Sequence, residues 1–270
     1  MTQPVFCVSD HTGLTAEGLA HSVMVRFEGV TPRYIVKPFV TTTEQAAEIA
    51  AEIDAMAEEG RRPIVFTTIV DVETRRVLDE SKGFVVGVYD EVVAQVGEAL
   101  AMEPGRRVGG YHGIRDMHEY QVRLDAVDFT LSTDDGVGLA RYPSADVIVL
   151  GVSRVGKTPT CLYLSMNFGI RAANYPLTQE DLGDLVLPPA LRGHEDRLFG
   201  LTIEPKRLSE IRKRRRPNSP YATLDTCTEE LAAADRIFSR HDIPVLDTTS
   251  QSVEEIAVNI IRARELQRRL

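Results

Sequence analysis

The sequence predicts an α/β protein in two parts, and three observations carry that expectation. Short β-branched runs alternate with helix-spaced segments, first over about a hundred residues and then again from residue 146 onward. Between the two series, residues 104–113 lapse into glycine and arginine. The second series opens with an apolar run that leads straight into a glycine-lysine loop.

In the first series, 5–9 (VFCVS) reads as a strand, followed by Asp10-His11-Thr12-Gly13 and a helix over 14–27. Residues 34–40 form a second strand, which Pro38 places at an edge or bulge. Thr43 and Glu44 open an Ala- and Glu-rich helix that Gly60 closes. A third strand covers 64–70, a helix 71–81, a fourth strand 84–88 and a helix 91–102. Strands and helices in this alternation predict a parallel sheet covered on both faces.

Residues 117–127 look helical, and 128–131 lead into Asp134-Asp135-Gly136. The run 146–150 (DVIVL) is then a buried strand, and Gly151-Val152-Ser153-Arg154-Val155-Gly156-Lys157-Thr158 behind it matches GxxxxGK[ST]. Pro159 suits the first turn of a helix, which Gly169 stops. The chemistry follows from this order. The two glycines let the backbone turn its N–H groups onto an anion, and the helix start adds positive potential. Lys157 reaches the outer phosphates of a nucleotide, and the Thr158 hydroxyl is offered to Mg²⁺. About one chain in a hundred of this length carries such a match by chance, and the flanking strand and helix lower that further. The plainer alternative is a glycine turn with an exposed lysine.

Further strands are expected at 171–177, 198–203 and 243–247, with a basic helix over 207–216 and a long helix over 224–241. Ser252-Val-Glu-Glu255 matches a capping box that opens an amphipathic C-terminal helix. The expected organisation is an N-terminal Rossmann-like parallel-sheet domain (1–110), a connecting segment (111–145) and a P-loop, kinase-like α/β domain (146–270).

With 31 basic and 40 acidic residues, the formal charge of −9 argues against broad adhesion to nucleic acid or membrane. Cys7, Cys161 and Cys227 lie far apart, which suggests neither a disulfide framework nor a zinc site. With no secretory signal and no apolar run of the roughly 20 residues a bilayer requires, the cytoplasm is the expected location.

Several clusters outside the loop have chemical potential. The basic run from Lys206 to Arg216 is either a solvated helix face or a lid on a transferring phosphoryl group. Arg212, Arg215 and Arg216, spaced by three and four, are the lid candidates. Asp10 ends the first strand, where parallel sheets place ligands, so it is either a helix cap or a base. Asp134 and Asp135 could hold a metal or accept a proton, or simply make a turn. His112 is a loop histidine able to act as acid or base. Glu204 and Asp247, just past strands, are candidates for the carboxylate that orders Mg²⁺.

Taken together, residues 9–17 (SDHTGLTAE), 128–136 (DFTLSTDDG), 151–160 (GVSRVGKTPT) and 168–177 (FGIRAANYPL) resemble the pyruvate, phosphate/water dikinase regulatory protein family. The likeness runs nearly end to end. Gly156 before the lysine is similar to the branch that regulates bacterial phosphoenolpyruvate synthase (pyruvate, water dikinase), whereas regulators of pyruvate, phosphate dikinase tend to have serine there. The resemblance implies a bifunctional enzyme that phosphorylates a threonine of its dikinase with ADP as donor. It also implies the reverse, removal of that phosphoryl group by inorganic phosphate to give pyrophosphate. The implied ADP site is 151–158. The resemblance carries over no acid or base; from the chemistry of the residues, Lys157 and Arg154 are the expected transfer residues, with Asp10 or one of Asp134 and Asp135 as base and Mg²⁺ on Thr158. The implied partner is the dikinase itself, and self-association into a homo-oligomer stays open. A small-metabolite kinase of the phosphate-loop class and a nucleotide-sensing switch are the competing readings. The absence of H-R-D and D-F-G signatures sets the chain apart from ordinary protein kinases, and no N-K-x-D motif supports a GTPase-type switch.

Overall fold

A computed structural model of the chain describes residues 2–103 and 117–269. The chain divides into two compact units, 1–113 and 114–270. In the first unit the elements run β1 (Thr2–Val8), α1 (Leu14–Met24), β2 (Thr31–Lys37), α2 (Thr43–Glu58), β3 (Ile64–Thr67), α3 (Val72–Asp79), β4 (Phe84–Gly87) and α4 (Asp90–Leu100). The four strands form a parallel sheet in the order β2-β1-β3-β4. Alternating β1 side chains serve its two faces. Phe6 and Val8 pack with Ala46, Ile49 and Ile53 of α2 and Leu78 of α3. Val5 and Cys7 pack with Ala16, Ala20 and Met24 of α1. The expected edge strand is β2, which ends at Lys37, one residue before Pro38 removes a ladder donor.

The second unit contains α5 (Met117–Ser132), β5 (Val147–Gly151), α6 (Lys157–Phe168), β6 (Ala172–Pro176), α7 (Gln179–Asp184), β7 (Leu198–Thr202), α8 (Pro205–Arg215), α9 (Leu224–Arg240), β8 (Val245–Asp247) and α10 (Val253–Ala263). Its sheet is also fully parallel, in the order β6-β5-β7-β8, which repeats the strand order of the first unit. Every residue of β5 is buried, as the central strand of a sheet covered on both faces requires. Ser252 and Glu255 make the expected capping box at α10.

Of the stretch read from sequence as a connecting segment, the described residues 117–145 belong to the second unit. The helix begun at Met117 continues through 128–131 to Ser132, because Ala126, Phe129 and Thr130 bury one face of it. His112 lies outside the described residues. Among the described residues, no helix is long and apolar enough to cross a membrane.

Candidate phosphate-transfer site

The second unit's chain leaves β5 for β6 on one side and returns to β7 on the other, so the carboxyl end of β5 is a topological switch point, where open parallel sheets bind ligands. The glycine-lysine loop begins there. At Gly151 a Cβ would lie 2.6 Å from the Leu201 carbonyl oxygen and 2.9 Å from Val155 Cγ2, so only glycine fits. Gly156 precedes α6 with φ of +101°, a backbone that L side chains rarely adopt, and no side chain caps the helix there. The first N–H groups of α6 therefore have no partner within the helix, and its positive end meets the loop. Val152 and Val155 are buried, anchoring the loop from below.

Arg154 also has a left-handed backbone, with φ of +79°, which is strained for a residue other than glycine. Three side chains hold the surrounding carbonyls. Lys157 Nζ donates to Val152 O at 3.1 Å, Arg212 Nη2 to Ser153 O at 3.1 Å and Thr248 Oγ1 to Val155 O at 3.1 Å. Lys157 is only 5% exposed, and burial pushes its ammonium down to about 8, against the opposing pull of Asp135 and Asp134.

The Thr158 hydroxyl donates to Asp134 Oδ1 at 2.8 Å. Asn174, fully buried in β6, donates its Nδ2 to that same carboxylate oxygen and accepts the Asp135 N–H at 2.9 Å. Tyr142 in turn donates its hydroxyl to the Asn174 carbonyl at 2.9 Å, and burial pushes the tyrosine's titration upward. The turn after α5 is tight: Asp135 and Gly138 have positive φ, and a Cβ on Gly138 would meet the Ser132 carbonyl at 2.3 Å. This turn leaves the Asp135 carboxylate exposed, with its charge acting on Lys157.

The structure thus brings together Gly151, Val152, Ser153, Arg154, Val155, Gly156, Lys157, Thr158, Asp134 and Asp135. Asp10 belongs to the first unit, where it is 8% exposed and its carboxylate accepts the Val70 N–H at 3.2 Å. Arg212 is no lid residue. Its side chain is fully buried, and its nitrogens donate to Ser153 O, Tyr221 O and Glu230, so none is left to cover a phosphate. Arg215 and Arg216 are exposed at the end of α8, with no carboxylate at ion-pair distance among the described residues. Neither strand-end carboxylate meets Thr158. Glu204 is exposed at the start of α8, and Asp247 accepts the Thr249 N–H at 2.8 Å; the partner of Thr158 is Asp134.

Sequence reasoning assigned no role to Asn174, Tyr142, Tyr221, Glu230 or Thr248. A polar asparagine within a buried strand demands partners, and that was the available signal for Asn174. Among the described residues no group of three or more His, Cys, Asp or Glu side chains could hold a metal. Mg²⁺ asks for less from a protein than such a cluster, since phosphate oxygens and water complete its shell. The Thr158 hydroxyl and Asp134 carboxylate fit it.

These features define a two-unit parallel α/β protein whose second unit carries a strand, a glycine loop and a helix start arranged to bind an anion. The kinase/pyrophosphorylase family model matches residues 5–261, and the chain belongs to that family. Three bacterial relatives carry the provisional name phosphoenolpyruvate synthase regulatory protein. One from Chromohalobacter salexigens is 46% identical over 273 residues, covering 100% of this chain and 99% of the relative. One from Neisseria meningitidis serogroup C is 44% identical over 266 residues, covering 98% and 97%. One from Pseudomonas fluorescens is 43% identical over 270 residues, covering 100% and 99%. The resemblance drawn from the sequence motifs is borne out.

Proposed function

We propose that this chain regulates phosphoenolpyruvate synthase by reversible phosphorylation, adding a phosphoryl group to a threonine with ADP as donor and removing it with inorganic phosphate. Family membership supports phosphotransferase activity, and the relatives' names support the partner. The observation that carries the chemistry is the Thr158–Asp134 pair at 2.8 Å, on the same loop as the buried Lys157.

In the forward direction the loop amides and Lys157 hold the β-phosphoryl group of ADP. The partner's threonine hydroxyl attacks its phosphorus. The bond to the bridging oxygen breaks, AMP leaves with the electron pair, and Asp135 accepts the hydroxyl proton. In reverse, an oxygen of hydrogen phosphate attacks the phosphothreonine phosphorus. Its proton passes through Asp135 to the departing threonine oxygen, and pyrophosphate leaves. One charged cradle serves both acceptors, because phosphoryl transfer depends mainly on positioning and charge stabilisation. Mg²⁺, held by Thr158 and Asp134, would neutralise phosphate charge. Arg154, within the loop, meets the donor's terminal phosphate or the incoming phosphate. The location that suits this reading is the cytoplasm.

The test is incubation with β-labelled ADP and, separately, purified phosphoenolpyruvate synthase and pyruvate, phosphate dikinase. Label on a threonine of the synthase is expected. Label on the second dikinase alone transfers the reading to that partner, and label only on a small molecule refutes it.

A further inference from the structure

We propose that Arg212 and Tyr221 form a clasp that fixes the phosphate loop in its nucleotide-accepting shape, making both of them positioning residues for the transfer. The proposal rests on the reading of the loop as the ADP site. Two independent contacts converge on Ser153. Arg212 donates from Nη2 and Nε to the Ser153 carbonyl at 3.1 and 3.3 Å. The Tyr221 hydroxyl donates to Ser153 Oγ at 2.7 Å. The two clasp residues also hold each other. The guanidinium carbon lies 4.1 Å from the centre of the Tyr221 ring, and Nη1 donates to the Tyr221 carbonyl at 3.0 Å. Glu230 of α9 completes the set, accepting from Nη2 at 2.6 Å with its side chain only 15% exposed.

The consequence for the loop comes from the peptide plane. In a trans peptide the C=O and the following N–H point in opposite directions. Drawing the Ser153 carbonyl toward the fully buried Arg212 therefore turns the Arg154 N–H away from the interior, toward the side open to an anion. The left-handed backbone of Arg154, φ +79°, is the strained link this grip sustains. A buried ion pair is weak evidence of a gain in stability, since apolar side chains of equal volume do as well. Here the pair instead ends on one residue of the loop, gripped at both its carbonyl and its hydroxyl.

Calorimetric titration with ADP and urea unfolding of the intact chain provide the test. Tyr221→Phe keeps the ring over Arg212 and removes one hydrogen bond. It should weaken ADP binding by roughly fivefold, the factor equivalent to about 1 kcal/mol, while the chain still unfolds in one cooperative urea transition. Ser153→Ala should do the same, and the double variant should lose no more than either single one, because the two groups share one bond. Arg212→Lys, which cannot reproduce the fork, should weaken binding further. Wild-type affinity in folded Tyr221→Phe and Ser153→Ala overturns the clasp, and so do additive losses in the double variant. Failure of the wild-type chain to bind ADP refutes instead the reading of the loop on which the clasp rests.

Discussion

The buried lysine of the loop gives a quantitative expectation. An unfolded lysine keeps its proton to 10.5, while Lys157 in the folded chain keeps it only to about 8, because burial penalises its charge. Between those values the unfolded state binds more protons than the folded one, so stability rises as pH increases from about 8 to 10.5. Below that window the full penalty is present, about 3 kcal/mol for a shift of this size. A bound nucleotide reverses the balance. Its phosphate charge favours the ammonium, so binding draws a proton onto Lys157 wherever the free protein has lost it. Uptake should be near zero at neutral pH, about half a proton per ADP at pH 8 and approach one at higher pH.

The assay is calorimetric ADP titration at several pH values, each repeated in buffers of different ionisation enthalpy, so that the protons exchanged can be counted. Urea unfolding across the same window provides the companion measurement, with Lys157→Met as reference. The wild-type chain should gain stability relative to that variant as pH rises. Proton uptake that stays flat from pH 7 to 9.5, or the same stability slope in Lys157→Met, refutes the assignment of a desolvated charge to this side chain.

Other substitutions separate support from chemistry. Lys157→Ala should abolish transfer in both directions and leave the fold intact, since it removes a penalised charge; surviving phosphorolysis with lost phosphorylation would require two separate sites. Asn174→Ala strips the Asp135 N–H of its acceptor and Asp134 of a donor, so urea unfolding should show a loss of about 2 kcal/mol together with reduced transfer. Gly151→Ala places a methyl 2.6 Å from the Leu201 carbonyl, and thermal unfolding should register about 2 kcal/mol or more of destabilisation. Thr158→Val keeps the side chain's shape and removes its hydroxyl, so the Mg²⁺ dependence of transfer should weaken while metal-free ADP binding persists.

What could be read from the chain depended on how local its cause was. The loop of 151–158 was legible because strand, glycines, lysine and helix start are contiguous, and each residue type has one steric or electrostatic reason to be there. The parallel sheets were legible for a similar reason, since alternating β-branched runs and helical segments leave few other topologies. Element ends were less so. Nothing adjacent in the chain signals that 128–131 should continue α5; the buried face of Phe129 decides it. The carboxylate opposite Thr158 was harder still. Asp134 stands 24 positions before Thr158 in sequence, and Asn174, which holds it, stands 40 positions after Asp134.

Arg212 shows how one spacing can support opposite conclusions. Set beside Arg215 and Arg216, its position suggested a charged face turned toward a phosphate. Yet Leu208 is one turn earlier on the same helix, and Leu208, Ser209 and Arg212 together form the buried side of α8. Leaving water is unfavourable for a guanidinium unless every donor finds an acceptor. The acceptors here come from the loop, from residue 221 and from α9, none of which the helix could announce. The arginine that the sequence offered as a lid residue is therefore buried with its donors on the Ser153 carbonyl, while Arg215 and Arg216 remain exposed at the end of α8. Local pattern thus identified the residue types that a phosphate loop calls for, and long-range packing decided which of them are buried against the loop and which stay exposed.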